Sequence, residues 1–153
     1  MKILQKALKL SYDRFKPNPF QRRYHYAIAF DGNKPICLSQ NNPIKINAKA
    51  LRMGERFNLP KYKEFPFNHA ESHLVSKLLD RYNSIHSNWT LVVLRINRKG
   101  LVMMSKPCEN CDKILKAVGL TEVYWSVKDN VFMNNDQDTI VIDSKKFSQY
   151  SVV

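Results

Sequence analysis

Two short clusters in the chain carry residue types able to build a reaction centre: His69-Ala70-Glu71 and Pro107-Cys108-Glu109-Asn110-Cys111. Apolar residues at helical spacing follow each cluster, which places both at helix N-termini. Cys108 and Cys111 are three apart, so they share a helix face and can hold one ion. The unpaired N–H groups and dipole of a helix N-terminus stabilise thiolates. His69 adds a neutral nitrogen. Two thiolates balance the double charge of Zn2+, and three protein ligands leave a fourth position open, as in catalytic rather than structural zinc sites. Zinc brings the pKa of a bound water towards about 7. Glu71, in the first helical turn beside His69, is placed to accept and return a proton there, since apolar surroundings raise a carboxyl's pKa.

The elements that position these clusters follow from periodicity and turn residues. Lys2–Phe15 has apolar residues at helical spacing and is stopped by Pro17 and Pro19. Tyr24–Phe30 and Pro35–Ser39 read as strands joined by the tight turn Asp31-Gly32-Asn33. Asn41–Phe67 is a long, basic, poorly periodic stretch, of the kind that usually serves function. Ala70, Leu74, Val75, Leu78, Leu79 and Tyr82 form one apolar helical stripe. Thr90–Arg95 is an apolar strand, Asn97–Gly100 a turn, and Leu101–Met104 extended. Cys111, Ile114, Leu115 and Val118 mark a further helix, ended by Gly119. Glu122–Val127 and Val131–Asn134 flank Lys128-Asp129-Asn130 as a hairpin, Thr139–Ile142 is one more β-branched run, and a polar tail starts at Ser144. This alternation predicts a layered α/β domain with a mixed sheet.

A chain of 153 residues with 44% hydrophobic and 11% aromatic content is expected to fold as one domain, residues 1–153, and not to be disordered or fibrous. No apolar run reaches the roughly 20 residues of a membrane span. Met1–Leu10 is basic and lacks a small-residue cleavage site, so the cytoplasm is the expected compartment. Three cysteines argue against a disulfide scaffold. A net charge of +12 favours anionic partners, nucleotides or nucleic acid, although charge alone does not select a polymer.

His-Ala-Glu followed by Pro-Cys-x-x-Cys resembles the cytidine deaminase-like superfamily, which includes cytidine, deoxycytidylate, tRNA-adenosine and polynucleotide cytosine deaminases. The resemblance is strong at the two motifs and architectural over about Lys2–Val127. It implies a three-layer α/β/α fold on a mixed sheet of about five strands. It implies one zinc per chain, held by His69, Cys108 and Cys111, with Glu71 as the catalytic proton carrier. Water activated at zinc would attack the amino-bearing carbon, C4 of cytosine. The Ala70 N–H would bond the base carbonyl, and Asn42, or Asn41, would hold sugar or base. Trp125, or its neighbour Tyr124, would border the substrate, one of the two being core. Lys106 and Lys45 are the better phosphate candidates, with Lys49, Arg22 and Arg23 behind them.

The chain also departs from the family pattern. His at position 69 resembles the deoxycytidylate, tRNA and polynucleotide branches. The short Lys128-Asp129-Asn130 turn instead predicts an antiparallel last strand, similar to free cytidine deaminases and some deaminase toxins. Asn41–Asn68 contains no His or Cys, so no second zinc is expected. The Asn97–Gly100 turn has no counterpart in the usual pattern. His73, four residues after His69, could close the site as a fourth ligand, but that would leave Glu71 without a role. His25 and His86 read as strand and helix-end residues without catalytic duties, and Cys37 as a small buried hydrophobe. The expected activity is deamination of cytosine in a nucleoside or nucleotide by a cytoplasmic enzyme, with homo-oligomers common in such families. The alternatives are deamination of cytosine or adenosine in single-stranded DNA or RNA, and a non-catalytic zinc module.

Overall fold

Alternation along the central strands divides the apolar side chains between two cores, and this division positions the helices. The computed structural model describes residues 2–41, 52, 55 and 69–142. Its elements are α1 (Lys2–Arg14), β1 (Arg23–Asp31), β2 (Lys34–Gln40), α2 (Ala70–Tyr82), β3 (Thr90–Asn97), β4 (Val102–Met103), α3 (Glu109–Val118), β5 (Glu122–Lys128), β6 (Val131–Asn134) and β7 (Thr139–Val141). Asn42, Lys45, Lys49, most of the basic stretch and the tail from Ser144 lie outside the described residues.

One core joins Ala27 and Ala29 of β1 and Leu91 and Val93 of β3 to Leu74, Val75 and Leu78 of α2 and Ile114 and Leu115 of α3. The other joins Tyr26, Ile28, Val92 and Leu94 to Ile3, Leu4, Ala7 and Leu8 of α1. Residues two apart on a strand share a face, so β1 and β3 are apolar on both sides. The architecture is therefore mixed α/β, with three helices among the described residues.

The sheet runs β2-β1-β3-β5-β6-β7, with β4 also paired to β3. That makes seven strands, more than the five the motifs suggested. The extra ones are short: β4 has two residues and β7 three, lengths that period-2 patterning cannot resolve. β3 and β5 are parallel, while β1–β2, β1–β3, β5–β6 and β6–β7 are antiparallel. The turn after β5 thus makes a hairpin, as its three residues predict.

β3 shares one edge between two partners. β5 pairs with Thr90–Val93, and β4 takes over at Arg95 and Ile96. The outer edge of β2 is covered by α2 side chains: Lys77 Nζ donates to the Leu38 carbonyl at 3.1 Å, and Arg81 to the Ile36 carbonyl at 2.8 Å, which satisfies part of an otherwise open strand edge. Gly119 ends α3 in the left-handed conformation (φ 86°), which a Cβ would disfavour. No helix among the described residues is long and apolar enough to cross a membrane.

Candidate metal centre

The two helix starts converge because α2 and α3 pack on the same core. His69 is the N-cap of α2, in extended conformation, and its side chain makes no capping hydrogen bond. The imidazole is thus left available to a ligand. Cys108 is the N-cap of α3, and its sulfur accepts a hydrogen bond from the Cys111 N–H at 3.4 Å. Cys111, one turn on, is fully buried. His69 Nδ1 stands 3.7 Å from Cys108 Sγ and 3.4 Å from Cys111 Sγ. These ligand atoms all lie within 4.8 Å of one another.

This donor set fits a small soft-to-borderline cation. Tetrahedral bonds of about 2.3 Å to sulfur and about 2.05 Å to nitrogen require N···S separations of about 3.6 Å, and the observed distances bracket that value. His73 is not part of the cluster. Its backbone N–H instead continues the helix, bonding the His69 carbonyl at 3.2 Å.

The charges around the ligands point the same way. A hydrogen bond from the Cys111 thiol, then contacts with His69 and the Cys111 N–H, pull the Cys108 thiol down to about 4. The Cys111 thiol is pushed up, by its bond to the Cys108 sulfur and by burial. His69 is raised by its hydrogen bond to Cys108. A metal takes both sulfurs as thiolates and the imidazole as a neutral ring, so its binding would release protons from these groups. Glu71 is 4% exposed, and burial raises its pKa, partly opposed by its own backbone N–H and by His69. Its carboxyl also interacts with the Cys111 sulfur.

These groups open on a cleft of about 430 Å³ whose walls include Ala70, Glu71, His69, Cys108 and Lys106, a volume within the usual range for small-molecule sites. Lys106 lies with its ammonium 5.6 Å from the Trp125 ring centroid. Trp125 itself is 5% exposed and packs in the core with α2 and α3, so it supports Lys106 from beneath rather than forming the wall. Tyr124, on the opposite face, is buried in the other core. Asn41 reaches the cleft, but its side chain accepts from the His25 N–H at 3.0 Å and donates to the Arg23 carbonyl at 3.2 Å. That bonding ties the end of β2 to β1.

Two buried serines hold the cysteine loop where β3, β4 and β5 meet. Ser105 Oγ donates to the Val93 carbonyl (2.8 Å) and accepts from the Ser126 N–H (2.9 Å). Ser126 Oγ donates to the Met103 carbonyl (2.7 Å) and accepts from the Arg95 N–H (3.3 Å). Three residues later the chain reaches Cys108. The Asn97–Gly100 turn is thus the start of a short hairpin that delivers this loop.

The sequence reads His25 as a strand residue without catalytic duty, yet His25 lines the cleft. Burial, then Arg95, His69 and Arg23, lower its pKa to about 4, so it is neutral at ordinary pH. The available signal was its place on the same strand face as Ala27 and Ala29, beyond the end of the apolar run. His86 instead stacks on Trp89, with ring centroids 4.6 Å apart, and Cys37 is buried in the core.

Comparison with protein-family models finds no match to this chain, and comparison with curated proteins finds no relative.

Proposed function

We propose that the chain is a zinc-dependent hydrolytic deaminase that converts a cytosine base to uracil in a nucleoside or nucleotide, on a three-layer fold of the cytidine deaminase type. The observation that carries this reading is the convergence of His69 Nδ1 on two sulfurs at 3.4 and 3.7 Å, with one buried carboxyl, Glu71, beside them in a cleft. A purely structural metal site has no use for that carboxyl or for an open cleft. The placement of α1 in one core and of α2 and α3 in the other supports the layering.

When bound, zinc would supply the positive charge that makes a water acidic enough to lose a proton near neutral pH. Glu71 takes that proton, places it on the ring nitrogen, and carries the next one to the departing amino group. The C4–O bond forms, the C4–N bond breaks, and water and cytosine become uracil and ammonia. A carboxyl of raised pKa suits both directions of transfer. The Ala70 N–H, one of the first of α2 and so without an intrahelical acceptor, is available to the base carbonyl. Lys106 at the cleft wall balances a phosphate.

The test is ammonia release from cytidine, dCMP, adenosine and AMP by zinc-loaded protein, alongside Glu71→Gln. Release from a cytosine substrate, lost in the variant, supports the reading. Release from none of the four by wild-type protein, with zinc bound, overturns this reading; a cytosine-containing single strand left intact as well would leave a non-catalytic module.

A further inference from the structure

Phe20 is 91% exposed, yet the backbone around it is fastened. Its own N–H bonds Asn18 Oδ1 at 2.9 Å. The Asn18 N–H bonds the Tyr24 hydroxyl at 2.8 Å, and that hydroxyl donates to the Gln21 carbonyl at 3.0 Å. Arg98, on the turn between β3 and β4, clamps the same segment from the other side. Its guanidinium donates to the Gln21 carbonyl at 3.3 Å and the Pro19 carbonyl at 3.2 Å. A large apolar ring is therefore held out in water on a constrained loop. It lies on the rim of the cleft that contains Glu71.

The charge of that rim is one-sided. Arg22, Arg23 and Lys106 share the wall with Phe20, and Glu71 is the one carboxylate in it among the described residues. The ion pairs Lys113–Glu109 and Lys116–Asp112 lie elsewhere, along α3. A cationic groove with an aromatic platform fits a phosphate backbone and an unstacked base.

We infer that this rim docks single-stranded nucleic acid, with Phe20 stacking on the base next to the target nucleotide and Arg22, Arg23 and Lys106 meeting phosphates. One base reaches Glu71, whether carried by a lone nucleotide or by a strand, and the exposed Phe20 ring at the rim fits the neighbouring base that only a strand supplies. A duplex would keep the target stacked and out of reach. The identity of the target base rests on the deaminase reading, whereas the docking surface does not. Arg98 is the positioning residue that holds the platform.

The experiment uses full-length, zinc-loaded Glu71→Gln protein, so that substrate is not consumed. It follows the anisotropy of fluorescent single strands of about 12 nucleotides with one central cytosine, as DNA and as RNA, beside a duplex. Phe20→Ala should weaken binding of the preferred strand about ten-fold or more with the salt dependence unchanged, and Phe20→Trp should restore it. Arg22→Gln with Arg23→Gln should lower the slope of log affinity against log salt by about 1.4, or about 0.7 for each phosphate no longer neutralised. Retained melting temperature in both variants excludes misfolding. Affinity within about two-fold of the parent in Phe20→Ala, or equal binding of duplex, overturns the proposal. If the strand binds in this manner but wild-type protein leaves its cytosine intact, the deaminase reading fails and the docking surface stands. If wild-type protein deaminates dCMP while strand binding ignores Phe20, the reverse holds.

Discussion

Cys111 Sγ lies 3.4 Å from Nδ1 of His69 across 42 residues of sequence, and it is the buried sulfur of the pair. Cys108, by contrast, is open to solvent. The two ligands therefore differ in what surrounds them. Losing a group that merely orients a ligand costs about 10–100-fold in metal affinity, so losing a ligand must cost more. Cys108→Ser and Cys111→Ser should each reduce bound zinc from one per chain to below half after dialysis against a weak chelator. Mass spectrometric metal analysis checks this. Cys111→Ser should also lower the melting temperature more, because it places a hydroxyl in the core.

Glu71→Gln should keep zinc and fold while deaminase activity falls by about 10²–10⁴-fold. Its effect on stability depends on pH. Burial raises the Glu71 pKa above its ordinary 4.5, so between 4.5 and that raised value the folded chain binds a proton more readily than the unfolded chain. Stability from this group is full below pH 4.5 and declines as pH rises through the raised value. Metal-stripped Glu71→Gln should therefore melt above metal-stripped wild type at about pH 8 and close to it near about pH 4. Equal melting temperatures at both pH values would count against a buried carboxyl.

His25 titrates in the opposite sense. Its pKa falls from 6.5 to about 4 through burial and then Arg95. The fold is unpenalised above pH 6.5 and loses stability as pH drops from 6.5 towards 4, by at most about 3 kcal/mol. His25→Gln should flatten that part of the stability–pH curve. Denaturant unfolding at about pH 7.5 and about pH 4.5 measures the difference.

Ser105 and Ser126 are both buried, with hydroxyl oxygens 2.7 Å apart, and between them they bond residues of three strands. Ser105→Ala should cost about 1–3 kcal/mol by leaving buried partners unsatisfied. Adding Ser126→Ala should cost less than the sum of the two single changes, since they share one network. Because Cys108 follows this anchor by three residues, zinc affinity should fall in parallel. Unchanged zinc affinity in Ser105→Ala would separate the anchor from the metal centre.

Much of the fold is legible because local signals agree with tertiary packing. The helical stripe Ala70, Leu74, Val75 and Leu78 is the face that α2 buries, and the turns at Asp31-Gly32-Asn33 and Lys128-Asp129-Asn130 are the hairpins observed. The His69, Cys108 and Cys111 cluster, which could hold a metal ion, was readable from residue type and spacing. What was not readable depends on non-local pairing. The segments of β4 and β7 read as extended, but which strands they pair with, β3 and β6, is set by neighbours distant in sequence or by a turn without a strong signal. Tyr124 and Trp125 are both buried because β5 is covered on both faces, which one strand's pattern cannot distinguish from a half-exposed strand. The bonds that fasten Phe20 join residues up to 79 apart, and no local motif announces them.

The most direct test of the metal centre is X-ray absorption at the zinc edge of zinc-loaded protein. The metal should show two sulfurs at about 2.3 Å and two lighter atoms at about 2.0–2.1 Å, one from a single imidazole and one from solvent. A shell with two imidazoles and two sulfurs would place His73 on the metal, close the fourth position, and contradict that expectation.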